Sequence, residues 1–221
     1  MRIFLTTLML SLCGATVVSA AINGRVTFQP KRGQAPLPAE TLIWLQPIKV
    51  EHLPKATTAP TLQVASRSKT LLPHVMVVPV GSTVMFPNED FVTHNIFSVS
   101  PNNKFDLGLF RKGTGKSNKF TSAGVVNVYC NVHPQMSAVL QVVDSPYYTQ
   151  ADANGQFSFD NVVPGKYRLV AWNELGGSAR IEIDVDSSGK ARGTTNLLLD
   201  SKSERASTHL NKYNQPYPPK Y

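Results

Sequence analysis

Residues 129–136 read Tyr129-Cys130-Asn131-Val132-His133-Pro134-Gln135-Met136, and the rest of the chain is organised around them. They place a thiolate, an imidazole and a thioether within seven residues, at a turn between two apolar runs. Copper prefers such soft and borderline donors over the oxygen ligands that suit harder cations. A fourth donor has to come from elsewhere, and we identify His94 as the candidate. The stretch therefore predicts a copper site made of His94, Cys130, His133 and Met136.

This ligand set also predicts what the metal does. Two imidazoles and one thiolate, with a distant thioether, form type 1 copper sites, whose geometry changes little between Cu(I) and Cu(II). Such a site suits the transfer of single electrons and implies no reaction on a small substrate. We therefore predict one type 1 copper ion in an electron-transfer protein that is not an enzyme.

The N-terminal segment predicts export and narrows the interpretation of Cys130. Residues 1–20 carry Arg2, an apolar run from Ile3 to Leu12 and small residues ending at Ala20, as in a secretory signal cleaved after Ala20. The apolar run is too short to span a bilayer, and Leu12 is a poor fit for a lipoprotein cleavage site at Cys13. Cleavage leaves Cys130 as the single cysteine, so it is unpaired, intermolecular or a ligand. A periplasmic location follows as an expectation.

The charge of the chain favours an acidic partner. The 221 residues carry a formal net charge of +8, which becomes +7 once Arg2 is removed with the signal. A basic surface attracts acidic proteins, DNA and lipid headgroups. However, charged residues are only 16% of the chain and no basic helix is evident, so we predict no nucleic-acid binding. The basic stretch from Lys104 to Lys119 is interpreted as steering an acidic redox partner or, equally, as a solvated loop.

Short alternating runs predict an all-β protein of two β-sandwiches. The expected divisions are a signal at 1–20, a first domain at 21–144, a second domain at 145–200 and a disordered tail at 201–221, which contains a single large aliphatic residue, Leu210. Gly81-Ser82 is interpreted as a hairpin turn. The apolar residues expected to cover the core within the polar stretch 101–124 are Phe105, Leu107, Leu109 and Phe110.

The other histidines are interpreted as structural or surface residues. His74, in an apolar run, is expected to be a hydrogen-bonded structural histidine, whereas His52 and His209 lie in a loop and in the tail. Two further interpretations of Cys130 are a buried structural thiol and a nucleophile activated by His133. No orienting third residue or oxyanion motif accompanies that pair, which disfavours the nucleophile.

Beyond this chemistry, the sequence resembles the cupredoxins. The resemblance rests on Cys130-x-x-His133-Pro134-x-Met136, on His94-Asn95 and on a lead-in from Val78 to Asn88, and the short ligand turn is most similar to that of the amicyanins. It implies a Greek-key sandwich in which His94 is the buried ligand, His133 is the edge ligand through which electrons leave, and Asn95 braces the ligand loops.

Residues 72–143 together with the second domain resemble the plastocyanin-like proteins labelled methylamine-utilisation proteins. Gln135 departs from that pattern, which often has tryptophan before the methionine, and this alters the expected docking surface. Asp152-x-x-Gly155-x-Phe157 and Pro164-Gly165-x-Tyr167 resemble carboxypeptidase regulatory-like domains, which are transthyretin-like sandwiches. The implied partner is a redox protein such as a c-type cytochrome or a periplasmic dehydrogenase.

Two alternative functions belong to other classes. The first is copper binding for storage, delivery or sensing, without fast electron transfer. The second is an adhesion or carbohydrate-binding role for the β-sandwich pair, in which copper is incidental. The sequence does not decide the oligomeric state.

Overall fold

The computed structural model describes residues 21–29, 38–54, 62–200 and 209–218. The predicted signal at 1–20 and residues 201–208 and 219–221 of the predicted tail lie outside these ranges. The all-β prediction is confirmed, because the regular structure of the described residues consists of strands and two short 3-10 helices, Pro38–Glu40 and Pro101–Asn103. In these ranges no helix has the length and apolarity needed to cross a bilayer.

The strands, numbered in chain order, are β1 Ile22–Phe28, β2 Leu42–Lys49, β3 Leu62–Gln63, β4 Ala65–Arg67, β5 Thr70–Leu72, β6 Val75–Pro79, β7 Thr83–Asn88, β8 His94–Ser98, β9 Phe105–Phe110, β10 Gly113–Lys119, β11 Gly124–Cys130, β12 Ser137–Val143, β13 Tyr148–Gln150, β14 Gln156–Phe159, β15 Gly165–Asn173, β16 Gly177–Val185, β17 Ala191–Arg192 and β18 Leu197–Leu199.

The metal sandwich comprises residues 62–143 and contains all four predicted ligands. One of its sheets has the strand order β10-β7-β4-β5, with β3 also pairing with β7, and the other has the order β6-β12-β11-β8-β9. Alternating apolar residues of both sheets meet in one buried core, which includes Val84, Phe86, Ile96, Val128 and Leu140. Burial of this apolar area is the main stabilising contribution, and it gives the strands that carry the ligands a rigid base.

The second sandwich combines strands from both ends of the described chain. Its sheets have the orders β14-β1-β18 and β13-β2-β15-β16-β17. Its core joins Ile22 and Leu45 from the N-terminal strands to Phe157, Tyr167 and Leu169 from the C-terminal ones. Strand β16 buries one face, since Ile183 and Val185 are buried and Asp184 is exposed.

This pairing corrects the predicted domain boundaries of 21–144 and 145–200. Strand β1 pairs with β14 and β18, and β2 pairs with β13 and β15, so residues 22–49 belong to the second sandwich. The physical reason is that a unit of 145–200 alone would expose the faces that β1 and β2 cover. The metal sandwich is thus inserted between β2 and β13.

Two local expectations are also corrected. Gly81-Ser82 does not close a hairpin, because β6 and β7 lie in different sheets: the Val80 N–H donates to Val143 O and the Gly81 N–H donates to Phe120 O. The polar stretch 101–124 forms the strands β9 and β10. Of its four expected core residues Phe110 is buried and Phe105 and Leu107 are partly buried against the core, but Leu109 is 64% exposed.

The two sandwiches meet through an apolar patch and a histidine. Leu42 and the partly buried Trp44 and Trp172 pack against Val75 and Val143 of the metal sandwich. Beside this patch, the two ring nitrogens of His74 lie 2.9 Å from Ser137 O and 2.7 Å from Glu174 Oε2. His74 is therefore a hydrogen-bonded structural histidine, as predicted.

The C-terminal segment differs from the expected disordered tail over residues 209–218. This segment folds back onto the metal sandwich, where the Lys212 ammonium pairs with Asp106 at 2.6 Å and the His209 ring stacks on Tyr129 with ring centroids 4.0 Å apart. His209, expected to be a surface residue, is half-buried. Polar and aromatic contacts hold the segment, whereas the prediction of disorder considered only its aliphatic residues.

Candidate metal centre

Two neighbouring strands bring Cys130 and His94 together. Cys130 is the last residue of β11 and His94 is the first residue of β8, and these strands pair antiparallel with Cys130 opposite Ile96. The pairing continues past the strand end, since the Asn131 N–H donates to Asn95 O at 2.8 Å. His94 and Cys130, which are 36 positions apart in the chain, thereby reach the same end of the sandwich.

A tight turn supplies the remaining predicted ligands. The Met136 N–H donates to His133 O at 3.1 Å, and the Cys130 N–H donates to Met136 O at 3.2 Å, which closes the turn between β11 and β12. The sulfur of Cys130 accepts one weak bond from the Val132 N–H at 3.4 Å. The turn therefore fixes where Cys130, His133 and Met136 lie relative to one another.

The donor atoms of three predicted ligands form a compact triangle. Cys130 Sγ lies 3.7 Å from His94 Nδ1 and 3.8 Å from His133 Nδ1, and the two Nδ1 atoms are 3.2 Å apart. The point equidistant from the three atoms is about 2.1 Å from each, which is close to ordinary metal–nitrogen and metal–thiolate bond lengths of about 2.0–2.3 Å. This triangle fits a transition-metal ion without rearrangement.

Burial distinguishes the four predicted ligands. The side chains of His94, Cys130 and Met136 are fully buried, whereas His133 is half-buried. Met136 shares the apolar core cluster with Cys130. Three nitrogen and sulfur donors are thus seen together, and the axial role of Met136 stays a prediction.

Asp90 fixes the orientation and tautomer of His94. His94 Nε2 lies 2.9 Å from Asp90 Oδ2. Because an ionised carboxylate only accepts hydrogen bonds, Nε2 carries the ring proton and Nδ1 presents its lone pair to the triangle. Burial raises the pKa of Asp90, but hydrogen bonds from the Lys69 N–H, from His94 and from the Ser68 N–H outweigh that effect and hold the pKa below its usual value.

Sequence reasoning gave no function to Asp90. Its position four residues before a candidate ligand was the available signal. Asn88 shapes the same loop: its side-chain amide donates to Val92 O at 2.8 Å, and its Oδ1 accepts from the Asp90 N–H at 2.9 Å. The sequence between β7 and β8 is thus arranged to hold a carboxylate against the buried histidine.

Asn95 bridges the ligand-bearing elements, and it does so partly through its backbone. Its carbonyl oxygen accepts from Asn131, while its side-chain amide donates to Asp106 Oδ1 at 2.5 Å. Burial raises the pKa of Asp106, but hydrogen bonds from Lys212, Asn95 and the Gly108 N–H dominate and leave the pKa below its usual value. Sequence reasoning gave no function to Asp106 or to Lys212.

Among known protein families, one matches part of this chain. The family described as polysaccharide lyase family 4, domain II, matches residues 115–193, which is less than half of the chain and crosses both sandwiches. A search among curated proteins found no match.

The similar solved structures include cupredoxins. A purple cupredoxin from Nitrosopumilus maritimus is 28% identical, over 37% of this chain and 99% of its own, with a TM-score of 0.34. The reduced form of an amicyanin mutant is 24% identical, over 38% of this chain and 82% of its own, with a TM-score of 0.36. The Cu(I) form of another amicyanin mutant is 20% identical, over 47% and 99%, with a TM-score of 0.36.

The resemblance to the cupredoxins inferred from the sequence thus has counterparts among solved structures over 37–47% of the chain. At these TM-scores the likeness carries no further weight, and the metal assignment rests on the donor triangle. The resemblance of residues 145–200 to transthyretin-like domains and the methylamine-utilisation label stay predictions.

Proposed function

We propose that this chain is an exported type 1 copper protein that carries one electron at a time between redox partners and catalyses no reaction on a substrate. The observation that carries the proposal is the buried triangle of His94 Nδ1, Cys130 Sγ and His133 Nδ1. Bound copper supplies a one-electron Cu(II)/Cu(I) couple at this position. The Met136 thioether is the proposed fourth, axial donor.

The protein holds the metal-ligating atoms in fixed positions and shields them from water. His94 and Cys130 have no solvent-exposed surface and lie at the ends of paired strands, so they cannot reorganise freely when the charge of the centre changes. Asp90 holds His94 in the ligating tautomer. The half-buried His133 is the proposed route by which electrons enter or leave.

Exposed apolar residues and a lysine of the metal sandwich support an acidic protein as the partner. Val132, adjacent to His133 in sequence, is 41% exposed, and Leu109, paired with Asn95 across β8 and β9, is 64% exposed. Phe91 is 94% exposed, with the Lys112 ammonium 3.8 Å above its ring. Exposed apolar side chains, one of them with a lysine ammonium over its ring, suit a partner that offers an apolar patch and carboxylates, such as a c-type cytochrome or a periplasmic dehydrogenase.

Copper titration with optical spectroscopy tests the proposal. The Cu(II) protein should bind one ion and show an intense blue thiolate-to-copper band, which Cys130→Ser and His133→Gln should abolish. The exposed loop residue His52 gives a matched control, since His52→Gln should retain the band. A colourless, readily exchanged ion would refute electron transfer and favour copper storage, delivery or sensing.

Export and partner choice need separate tests. N-terminal sequencing of the protein recovered from a periplasmic fraction should begin at Ala21, and recovery of the protein only from the cytoplasm, with residues 1–20 retained, would contradict export. Electron transfer to an acidic acceptor should slow as salt is added and when Lys112→Glu is introduced, because both changes weaken charge steering. A rate independent of salt would refute the acidic partner.

The family match at residues 115–193 favours one second candidate, a carbohydrate-binding function of the second sandwich. The large apolar side chains exposed on the described part of that sandwich are Ile48, Leu53 and Leu198, and both tryptophans pack toward the metal sandwich. Retarded migration in gels containing soluble polysaccharides would support this candidate, and unaltered migration across a panel of acidic and neutral polymers would remove it.

A further inference from the structure

Residues 209–218, here called the C-terminal strap, cross the outside of the metal sandwich beside the cysteine ligand. The Tyr217 hydroxyl donates to the carbonyl oxygen of Cys130 at 2.6 Å. The His209 ring stacks on Tyr129, the residue before Cys130, with an angle of 19° between the ring planes. Burial raises the pKa of Tyr217, so this hydroxyl stays protonated and remains a donor across the ordinary pH range.

The strap also closes a hydrogen-bonded circuit around the residues that follow two ligands. The Lys212 N–H donates to Asn131 Oδ1 at 3.0 Å, and its ammonium donates to Asp106 Oδ2 at 2.6 Å. Asp106 accepts from the side chain of Asn95, and the Asn95 carbonyl accepts from the Asn131 N–H. Asn131 follows Cys130 and Asn95 follows His94, so the circuit connects the strap to both ligand-bearing strands.

The strap has its own local structure. Asn211 Oδ1 accepts from the N–H groups of Tyr213 and Gln215 at 2.9 and 3.1 Å, and the Asn211 N–H donates to Gln215 O at 2.8 Å. Asn214 takes a positive φ of 61°, a conformation that asparagine tolerates better than most residues. This is a folded turn, which places Lys212 and Tyr217 at fixed positions.

Polar and aromatic contacts hold the strap beside an open pocket. A cavity of about 340 Å³ lies between the strap and the two sandwiches, lined among others by Tyr129, Gln135, Glu174, His209 and Asn214. The stack of His209 on Tyr129 and the hydrogen bonds of Tyr217 and Lys212 attach the strap beside this space.

We propose that Tyr217 and Lys212 are positioning residues for the ligand turn, and that the strap keeps Cys130 closed off in the metal-free protein and slows release of the metal from the loaded protein. The second half of this inference rests on the proposed copper function, whereas the first half concerns the thiol alone. The strap acts through the Cys130 carbonyl and through Asn131.

Alkylation of metal-free protein by iodoacetamide tests the first half. Every variant carries Cys13→Ser, so that Cys130 is the single thiol. A buried thiol reacts through local opening, and the rate rises with the population of the open state. Loss of one hydrogen bond made only in the closed state, in Tyr217→Phe, should raise the rate about 2- to 10-fold. A chain ending at residue 208 should react about tenfold faster or more, since it loses several such bonds.

Tyr213 provides the matched control, because it lies in the same strap but is 70% exposed, and Tyr213→Phe keeps the ring that lies 5.4 Å from the Lys212 ammonium. Tyr213→Phe should label at the wild-type rate. Equal rates for wild type, Tyr213→Phe, Tyr217→Phe and the truncated chain would overturn the inference. The urea midpoint of each variant separates positioning from general stability, since an increase in labelling fully accounted for by easier global unfolding would also overturn it.

Transfer of copper from the loaded protein to a chelator tests the second half, with release expected to accelerate in the same order as alkylation. Release rates unaffected by the strap variants would overturn this half. Failure of the wild type to bind copper would refute the proposed function instead, and the alkylation rates would still decide the positioning function of the strap.

Discussion

Replacing Asp90 by asparagine should weaken copper binding and destabilise the metal-free protein. The Asp90 carboxylate accepts three hydrogen bonds: Oδ1 accepts from the Ser68 N–H at 2.6 Å, and Oδ2 accepts from the Lys69 N–H and from His94 Nε2, each at 2.9 Å. An amide has only one accepting atom. Whichever way the amide of Asp90→Asn is turned, its NH₂ group faces at least one of these donors.

The geometry sets the size of the effect. If the amide nitrogen faces His94, the imidazole has to move its proton to Nδ1, the atom directed at Cys130 and His133. If it faces Ser68, the Ser68 N–H loses its acceptor in the tight turn that Ser68 forms with Lys69, both at positive φ. Loss of one hydrogen bond to a charged group costs about 1.5–3 kcal/mol, and loss of the partner of a ligating histidine typically lowers metal affinity about 10- to 100-fold. These two figures agree, since tenfold corresponds to about 1.4 kcal/mol.

Competition with a chromophoric chelator measures the affinity, and urea unfolding of the metal-free protein measures the stability. The control is Glu89→Gln, the same chemical change one residue earlier at a side chain that is 42% exposed and pairs with Arg67; it should alter neither quantity. Copper affinity in Asp90→Asn equal to that of the control would refute the tautomer reasoning. A loss of stability with unchanged affinity would assign Asp90 to the Ser68–Lys69 turn alone.

Three further outcomes are expected. The folded-state pKa of Asp106 is depressed, so its carboxylate stabilises the folded protein fully above the unfolded pKa of about 3.9 and loses that effect as pH falls through the lower folded value. The urea midpoints of wild type and Asp106→Asn should therefore converge below about pH 4. A constant difference down to pH 3 would contradict this. Ile22→Ala should destabilise the second sandwich by about 2–5 kcal/mol, seen in the fluorescence of the two tryptophans on β2 and β15, while the copper band survives. Gly115→Ala should be much more destabilising in thermal melts than Gly81→Ala, because an added Cβ at Gly115 meets Phe86 O at 1.7 Å whereas at Gly81 nothing lies within 4 Å; at Gly81 only the positive φ opposes the change, at about 1–2 kcal/mol.

Much of the candidate site could be predicted because its chemistry is local. Cys130, His133 and Met136 lie on one turn of seven residues, so their spacing alone restricts where their donor atoms can be. His94 was found because few residue types can complete such a ligand set. Asp90 and Lys212 could not be found in this way, since a carboxylate or an ammonium has many possible partners and the choice depends on the tertiary fold.

The errors about the fold have the same origin. Alternation predicted a strand at β1, but nothing in residues 22–28 indicates that its partners are Phe159 and Leu197, more than a hundred residues away. Gly81-Ser82 has the composition of a hairpin turn, and only the acceptors of its flanking N–H groups show that the chain passes to the other sheet. For residues 209–218, the scarcity of aliphatic residues predicted disorder. The prediction failed there because amino-acid composition does not show hydrogen bonds to a surface that is distant in the sequence.

The insertion of the metal sandwich into the second sandwich connects the site to both units. Residues 62–143 are bounded by β2 and β13, which pair with each other, so the chain enters and leaves the metal sandwich at a base belonging to the second unit. From that unit Glu174 reaches His74, and His74 reaches the carbonyl of Ser137, the residue after Met136. The strap approaches the turn at Cys130 and Asn131. The two ends of the ligand turn are therefore held by different parts of the chain outside the metal sandwich, and a change in either part reaches the metal through the backbone of that turn.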